Sequence, residues 1–150
     1  YFTSVGRNAK LLLNVPPARD GVLHVTDVAR LAAFSARLRE TFADDLAVGA
    51  NIVWRRTGAR SAELEADLGR EQRVGIVRLE ESIENGQAVA RYRVEGANGG
   101  EWSTLSRGTT IGHARLDRFA PVAVRRVRVV VEDAVAAPGP LRLRLFAGNA

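Results

Sequence analysis

Two Asn-Gly pairs, Asn85-Gly86 and Asn98-Gly99, constrain this chain more than any other feature. Asn-Gly accepts the positive φ angles of a type I′ turn, so each pair is expected to bend one strand back beside the last. The first pair lies between the apolar run Val74–Leu79 and an alternating run of Ala88, Ala90, Tyr92 and Val94; the second precedes Trp102. Period-two alternation puts those apolar side chains on one face and Arg91, Arg93 and Glu95 on the other. The expectation is an antiparallel sheet with one dry and one wet face.

The alternation continues downstream. From Ala62 onward only strand periodicity is found, over 62–68, 74–80, 87–95, a short piece near Trp102, 115–119, 123–131 and 141–146. Val127, Val129 and Val131 alternate with Arg126 and Arg128, and Leu141, Leu143 and Leu145 with Arg142 and Arg144. Pro138, Gly139 and Pro140 divide the last two strands. Seven or so short strands with frequent turns predict a β-sandwich.

The first 45 residues read differently. Ala9–Val15 is a short apolar run with three consecutive leucines, closed by Pro16-Pro17, as in a strand buried on both faces. Thr26 is placed to cap a helix whose first turn carries Asp27. Val28, Leu31, Ala32, Ser35, Leu38 and Phe42 recur at helical spacing and give one apolar stripe from about Thr26 to Phe42. A strand followed by such a helix is a βα unit, and it cannot stand alone because its strand needs neighbours on both edges. The boundary is expected near Asp44–Gly49.

A chain of 150 residues is long enough to bury one sizeable core. It has no cysteine, so disulfides and thiolate metal sites are excluded, and His24 and His113 make no metal-ligand spacing. No metal and no cofactor is expected. No stretch reaches the ~20 apolar residues of a membrane span. The first residue is Tyr1 rather than methionine, so a fragment or processed form is expected. The net charge of +5 comes almost wholly from arginine, with Lys10 the only lysine. The arginines fall at alternate positions without an aromatic platform, which speaks for solvated strand faces and against nucleic acid. Heavy arginine and alanine use points to a GC-rich bacterial source.

Several segments together resemble a known family. YFTSVGRNAKLLLNVPPARDG is similar to the end of the catalytic barrel of family 29 glycoside hydrolases, the α-L-fucosidases. LEADLG, LEESIENGQAVARYRVE, RGTTIGHARLDRF and VRRVRVVVEDA then follow in that family's order. The resemblance implies that residues 1–45 are the terminal βα unit of the barrel and 46–150 a C-terminal sandwich of the discoidin, or factor 5/8 type C, kind. It implies a parent that cleaves terminal α-L-fucosyl linkages with retention, which needs two carboxyl groups ~5 Å apart. No acidic residue here matches either role, so the 150 residues alone are expected to be inactive. Relatives usually carry a longer segment between the LAVGA stretch and Trp54, where loops often meet ligand.

Trp54 and Trp102 are candidates for stacking on a sugar ring, and His113 and Arg115 for hydrogen bonds to it. Each has a competing reading: a tryptophan plugs the core, and the other two form a loop or a barrel contact. Glu80, Glu81 and Glu84 read as a solvated or capping turn, and Asn14 as part of the barrel's closing turn. The expected partners are fucosylated or other glycans, the rest of the barrel, and a second copy through the exposed stripe. A secreted or periplasmic parent is expected. The alternatives are a free-standing carbohydrate-binding module and a structural or oligomerising domain.

Overall fold

The computed structural model describes residues 1–148. One helix, α1 (Val25–Thr41), precedes six strands: β1 (Asn51–Arg56), β2 (Ala62–Glu81), β3 (Val89–Ala97), β4 (Ser103–Gly108), β5 (Arg115–Ala134) and β6 (Leu141–Phe146). All strand pairs are antiparallel, and the order is β1-β2-β5-β3-β4 with β6 also paired to β2.

β2 and β5 are long and each serves two layers. The first half of β2 pairs with the second half of β5 (Leu64 opposite Val129), and its second half with the first half of β5 (Val77 opposite Asp117). Register shifts after Asp67 and Val74 mark where β2 bends from one layer to the other. The first layer adds β1, β3 and β4, and the second adds β6. Leu64, Val94 and Val129 from the first layer share one core with Val77, Leu79, Leu143 and Leu145 from the second. This is a β-sandwich, as the alternation predicts. Its outward positions on the first layer carry a ladder of ion pairs: Arg55 with Glu63, Arg126 with Glu65, Arg128 with Glu95, and Arg93 with Glu132.

Four expectations are corrected. First, β3 does not lie beside β2; it pairs with β4 and β5. The turn at Asn85-Gly86 forms, with Gly86 at φ +87°, but the chain leaves it for the other layer. Glu81 directs that crossing, because its carboxylate accepts the N–H groups of Ala88 (2.9 Å), Val89 (3.1 Å) and Gly112 (2.6 Å). The Asn98-Gly99 turn does close a hairpin, between β3 and β4, through a connection longer than two residues. Second, the runs at 62–68 and 74–80 belong to one bent strand, as do those at 115–119 and 123–131; β1 is an additional strand.

Third, Ala9–Val15 forms no strand, and Leu12 is 92% exposed. A strand requires hydrogen-bonding partners on its edges, and none of the described residues pairs there. Fourth, His24 rather than Thr26 caps α1, its Nδ1 accepting the Thr26 N–H at 3.2 Å. The helix buries no residue: Val28 is 49% and Phe34 37% exposed. The stripe has the spacing of a packed helix, yet Phe42 at its end packs on the sandwich while Val28 stays exposed.

The N-terminal arm touches the sandwich at both of its ends. Tyr1, Phe2 and Phe42 pack on Ile76, Leu116 and Phe146, the outward-facing apolar residues of the second layer. Phe42 meets Phe146 edge-on at 5.0 Å between ring centroids, and Phe2 at 6.1 Å.

Candidate functional site

The densest polar constellation lies where the arm meets the start of β5. Alternation along 115–118 turns Leu116 outward and Asp117 inward, opposite Val77, and Asp117 is only 4% exposed. A buried carboxylate must be paired, and four groups converge on this one. Its Oδ1 accepts from Arg7 Nη1 (3.0 Å) and Arg115 Nε (2.9 Å). Its Oδ2 accepts from Tyr92 Oη (2.6 Å) and Ser106 Oγ (3.0 Å). The Arg115 guanidinium also lies over the Tyr92 ring, 5.6 Å from its centroid.

Asn8 completes the clamp. It holds φ at +64°, a conformation that asparagine tolerates better than most residues. In that pose its Nδ2 donates to the Ile111 carbonyl (2.9 Å), and its Oδ1 accepts the Ala114 N–H (2.8 Å). Leu116 donates its N–H to the Gly6 carbonyl at 3.0 Å, so the arm runs as a short extra edge along 112–116.

Burial by itself would raise the Asp117 carboxyl. The hydrogen bonds from Tyr92, Arg115 and Arg7 outweigh it and hold the group below the usual carboxylate range. The Tyr92 phenol is pushed far above its ordinary value, first by burial and then by the Asp117 charge. The clamp therefore contains a fixed anion, two fixed cations and a phenol that stays protonated. Nothing in it is poised to give or take a proton near neutrality, and that marks a structural device more than a reacting one.

The four sequence candidates do not converge on one site. Trp54 sits on edge strand β1 opposite Leu64 and packs half-buried against the main core. Trp102, just before β4, lies over the outer face of the first layer, with the guanidinium groups of Arg126 and Arg128 at 5.0 and 4.4 Å from its ring. Arg128 is itself bound to Glu95 at 2.6 Å, so one indole face is occupied from within. His113 is exposed beside Asn8, Ile83 and Gln87 on a shallow depression of about 280 Å³. Arg115 turns inward to Asp117. Only His113 and Arg115 are neighbours, and they point to different environments.

Arg7, Asn8, Tyr92, Ser106 and Asp117 escaped the sequence reading as a set. The available signal was Asp117 at an inward position of an alternating strand, where only a paired charge is tolerated. Among the described residues no group of three or more histidines or acids could hold a metal ion.

Fold and site together define a β-sandwich whose edge is occupied by an arm of its own chain, with an uncovered amphipathic helix on that arm. No protein-family model matches the chain. It is 31% identical over 166 aligned positions to alpha-L-fucosidase 1 of Arabidopsis thaliana, a match covering 89% of this chain and 32% of the plant protein. It superposes on a GH29 fucosidase of Ruminococcus gnavus in complex with fucose with a TM-score of 0.89 and 30% identity, over 99% of this chain and 35% of that one. The chain thus spans about a third of the length of the curated relatives it matches. A chitosan-binding module from a Paenibacillus sp. chitosanase/glucanase shares the sandwich fold alone, with a TM-score of 0.59 and 16% identity over 69% of this chain and 98% of the module. The chain is similar to a portion of the GH29 α-L-fucosidases. Plant and bacterial proteins both appear among its relatives, so arginine usage is no guide to its source.

Proposed function

We propose that this chain is the C-terminal portion of an α-L-fucosidase. Residues 1–45 correspond to the last βα unit of the catalytic barrel, in which segment 9–15 becomes a strand once its barrel neighbours are present, and residues 46–150 correspond to a discoidin-like sandwich that braces it. The clamp at Arg7, Asn8 and Asp117 carries this reading, together with the apolar surface beyond it. The arm is fastened where segment 9–15 begins and where α1 ends, while Leu12 and Val28 between those points remain exposed. A barrel supplies their cover.

The direction of the chain supports a bracing role. Catalytic groups of such barrels stand at the C-terminal ends of the strands, and contacts at the N-terminal ends serve stability. Residues 9–15 run away from the clamp toward Pro16, so the clamp lies at the N-terminal end of that segment. The sandwich then holds the barrel from the end opposite the bound sugar and contributes no reacting group. The two carboxyl groups of a retaining mechanism come from other barrel strands.

The test is a chimera in which this chain replaces the matching portion of the Ruminococcus gnavus enzyme. The chimera is expected to hydrolyse nitrophenyl-fucoside, the 150-residue chain alone to show no turnover. Hydrolysis by the pure chain, or a folded chimera without activity, overturns the proposal.

A second reading, that the sandwich also binds glycan, is favoured by the position of Trp102 on an outer face. Tryptophan fluorescence titration with fucose and with fucosylated and galactosylated oligosaccharides decides it. A saturable shift lost in Trp102→Ala supports binding; no shift with any sugar leaves a brace.

A further inference from the structure

A groove of about 260 Å³ runs between α1 and the outward face of the second layer. Phe2, Phe34, Leu38 and Ile76 form its apolar walls, and Arg37 of α1 and Arg118 of β5 also line it. The Arg118 guanidinium lies over the Phe2 ring, 5.9 Å from its centroid.

These two arginines differ from those of the opposite outer face. There Arg55, Arg93, Arg126 and Arg128 each meet a glutamate. Among the described residues Arg37 and Arg118 have no carboxylate partner, although both flank apolar walls that weaken the screening of their charge. Two guanidinium-bearing side chains lining one apolar slot fit a planar carboxylate carried on an apolar scaffold. A second copy packed symmetrically on this face would bring the same two cations against them, so charge argues against it.

We propose that this groove is a docking site for a polypeptide segment that presents an aspartate or glutamate between apolar side chains. The assignment of that segment to the remainder of a fucosidase barrel rests on the brace reading; the chemistry of the groove does not.

The experiment is an NMR titration of the 150-residue chain with two blocked tripeptides, acetyl-Leu-Glu-Leu-amide and acetyl-Leu-Gln-Leu-amide. The glutamate peptide is expected to shift the signals of Phe34, Arg37 and Arg118 saturably and to bind about fivefold tighter than its neutral counterpart. The difference is expected to shrink with added salt and to vanish in the doubly substituted Arg37→Gln/Arg118→Gln chain. Both positions are exposed, so that variant keeps the core intact. Equal affinity for the two peptides, or no shift at these residues, overturns the proposal. So does a concentration-dependent shift without peptide, which would place a second copy in the groove. Failure here leaves an active chimera unexplained only at this contact, whereas failure of the chimera leaves the peptide result standing.

Discussion

Replacing Asp117 with alanine is expected to destabilise the chain by about 3–5 kcal/mol, the usual cost of removing one member of a buried ion pair. The loss is large because four donors depend on one carboxylate: Arg7, Arg115, Tyr92 and Ser106. Two cations would then face each other at the base of the arm, and the Tyr92 hydroxyl would be buried without a partner. Urea denaturation followed by tryptophan fluorescence measures the change. A shift under about 1 kcal/mol would mean that the arm is held by its aromatic contacts and not by the clamp. Asp117→Asn, which keeps one oxygen acceptor, is expected to lie between the two.

The same cluster sets a pH signature. The Asp117 pKa is depressed in the folded chain, so its contribution is fully present above the unfolded value near pH 4. It is lost as the pH falls through the folded value. The Tyr92 pKa is raised, so its contribution is present below about pH 10 and fades as the pH climbs further. Asp117→Ala is expected to flatten the acid wing and weaken the alkaline one.

The second large effect is expected from Gly108→Ala, at about 2–3 kcal/mol. A Cβ at position 108 would stand 2.5 Å from Tyr92 Oη and 2.6 Å from Cε1 and Cζ of the ring. The ring is fully buried and tied to Asp117, so it can yield only by surrendering that hydrogen bond. Gly100→Ala is the control, because a Cβ there meets nothing within 4 Å. Its effect on the urea midpoint is expected to be negligible. Equal midpoints for the two variants would show that the Tyr92 pocket is soft. The two large effects share Tyr92 and are expected to be less than additive when combined.

Much of the fold is legible in the sequence. Inward Val127, Val129 and Val131, and inward Leu141, Leu143 and Leu145, follow from alternation alone, and each is buried. The helix is also legible, since a 3.6-residue spacing survives whether or not the stripe is covered. What escapes is pairing. Asn85-Gly86 reads as a hairpin because turn chemistry is local, but the partner of the next strand is chosen by Glu81 and by the fit of Tyr92 and Val94 against β5. Strand Asn51–Arg56 is not legible because it is an edge strand in which five of six residues are exposed and Trp54 alone is half-buried, which leaves little alternation to read.

The candidate site divides in the same way. The types of residue able to meet a sugar could be picked from the sequence, yet Trp54, Trp102 and His113 lie in separate places, and Arg115 is turned inward to Asp117. Which faces are dry and where the chain turns were determined by the order of side chains, because a strand alternates with period two and a turn needs its own backbone angles. Which strands are neighbours, and that Arg7 closes on Asp117 across 110 positions, only the tertiary structure decided. A buried charge finds its partner by distance in space, and no local pattern encodes that distance.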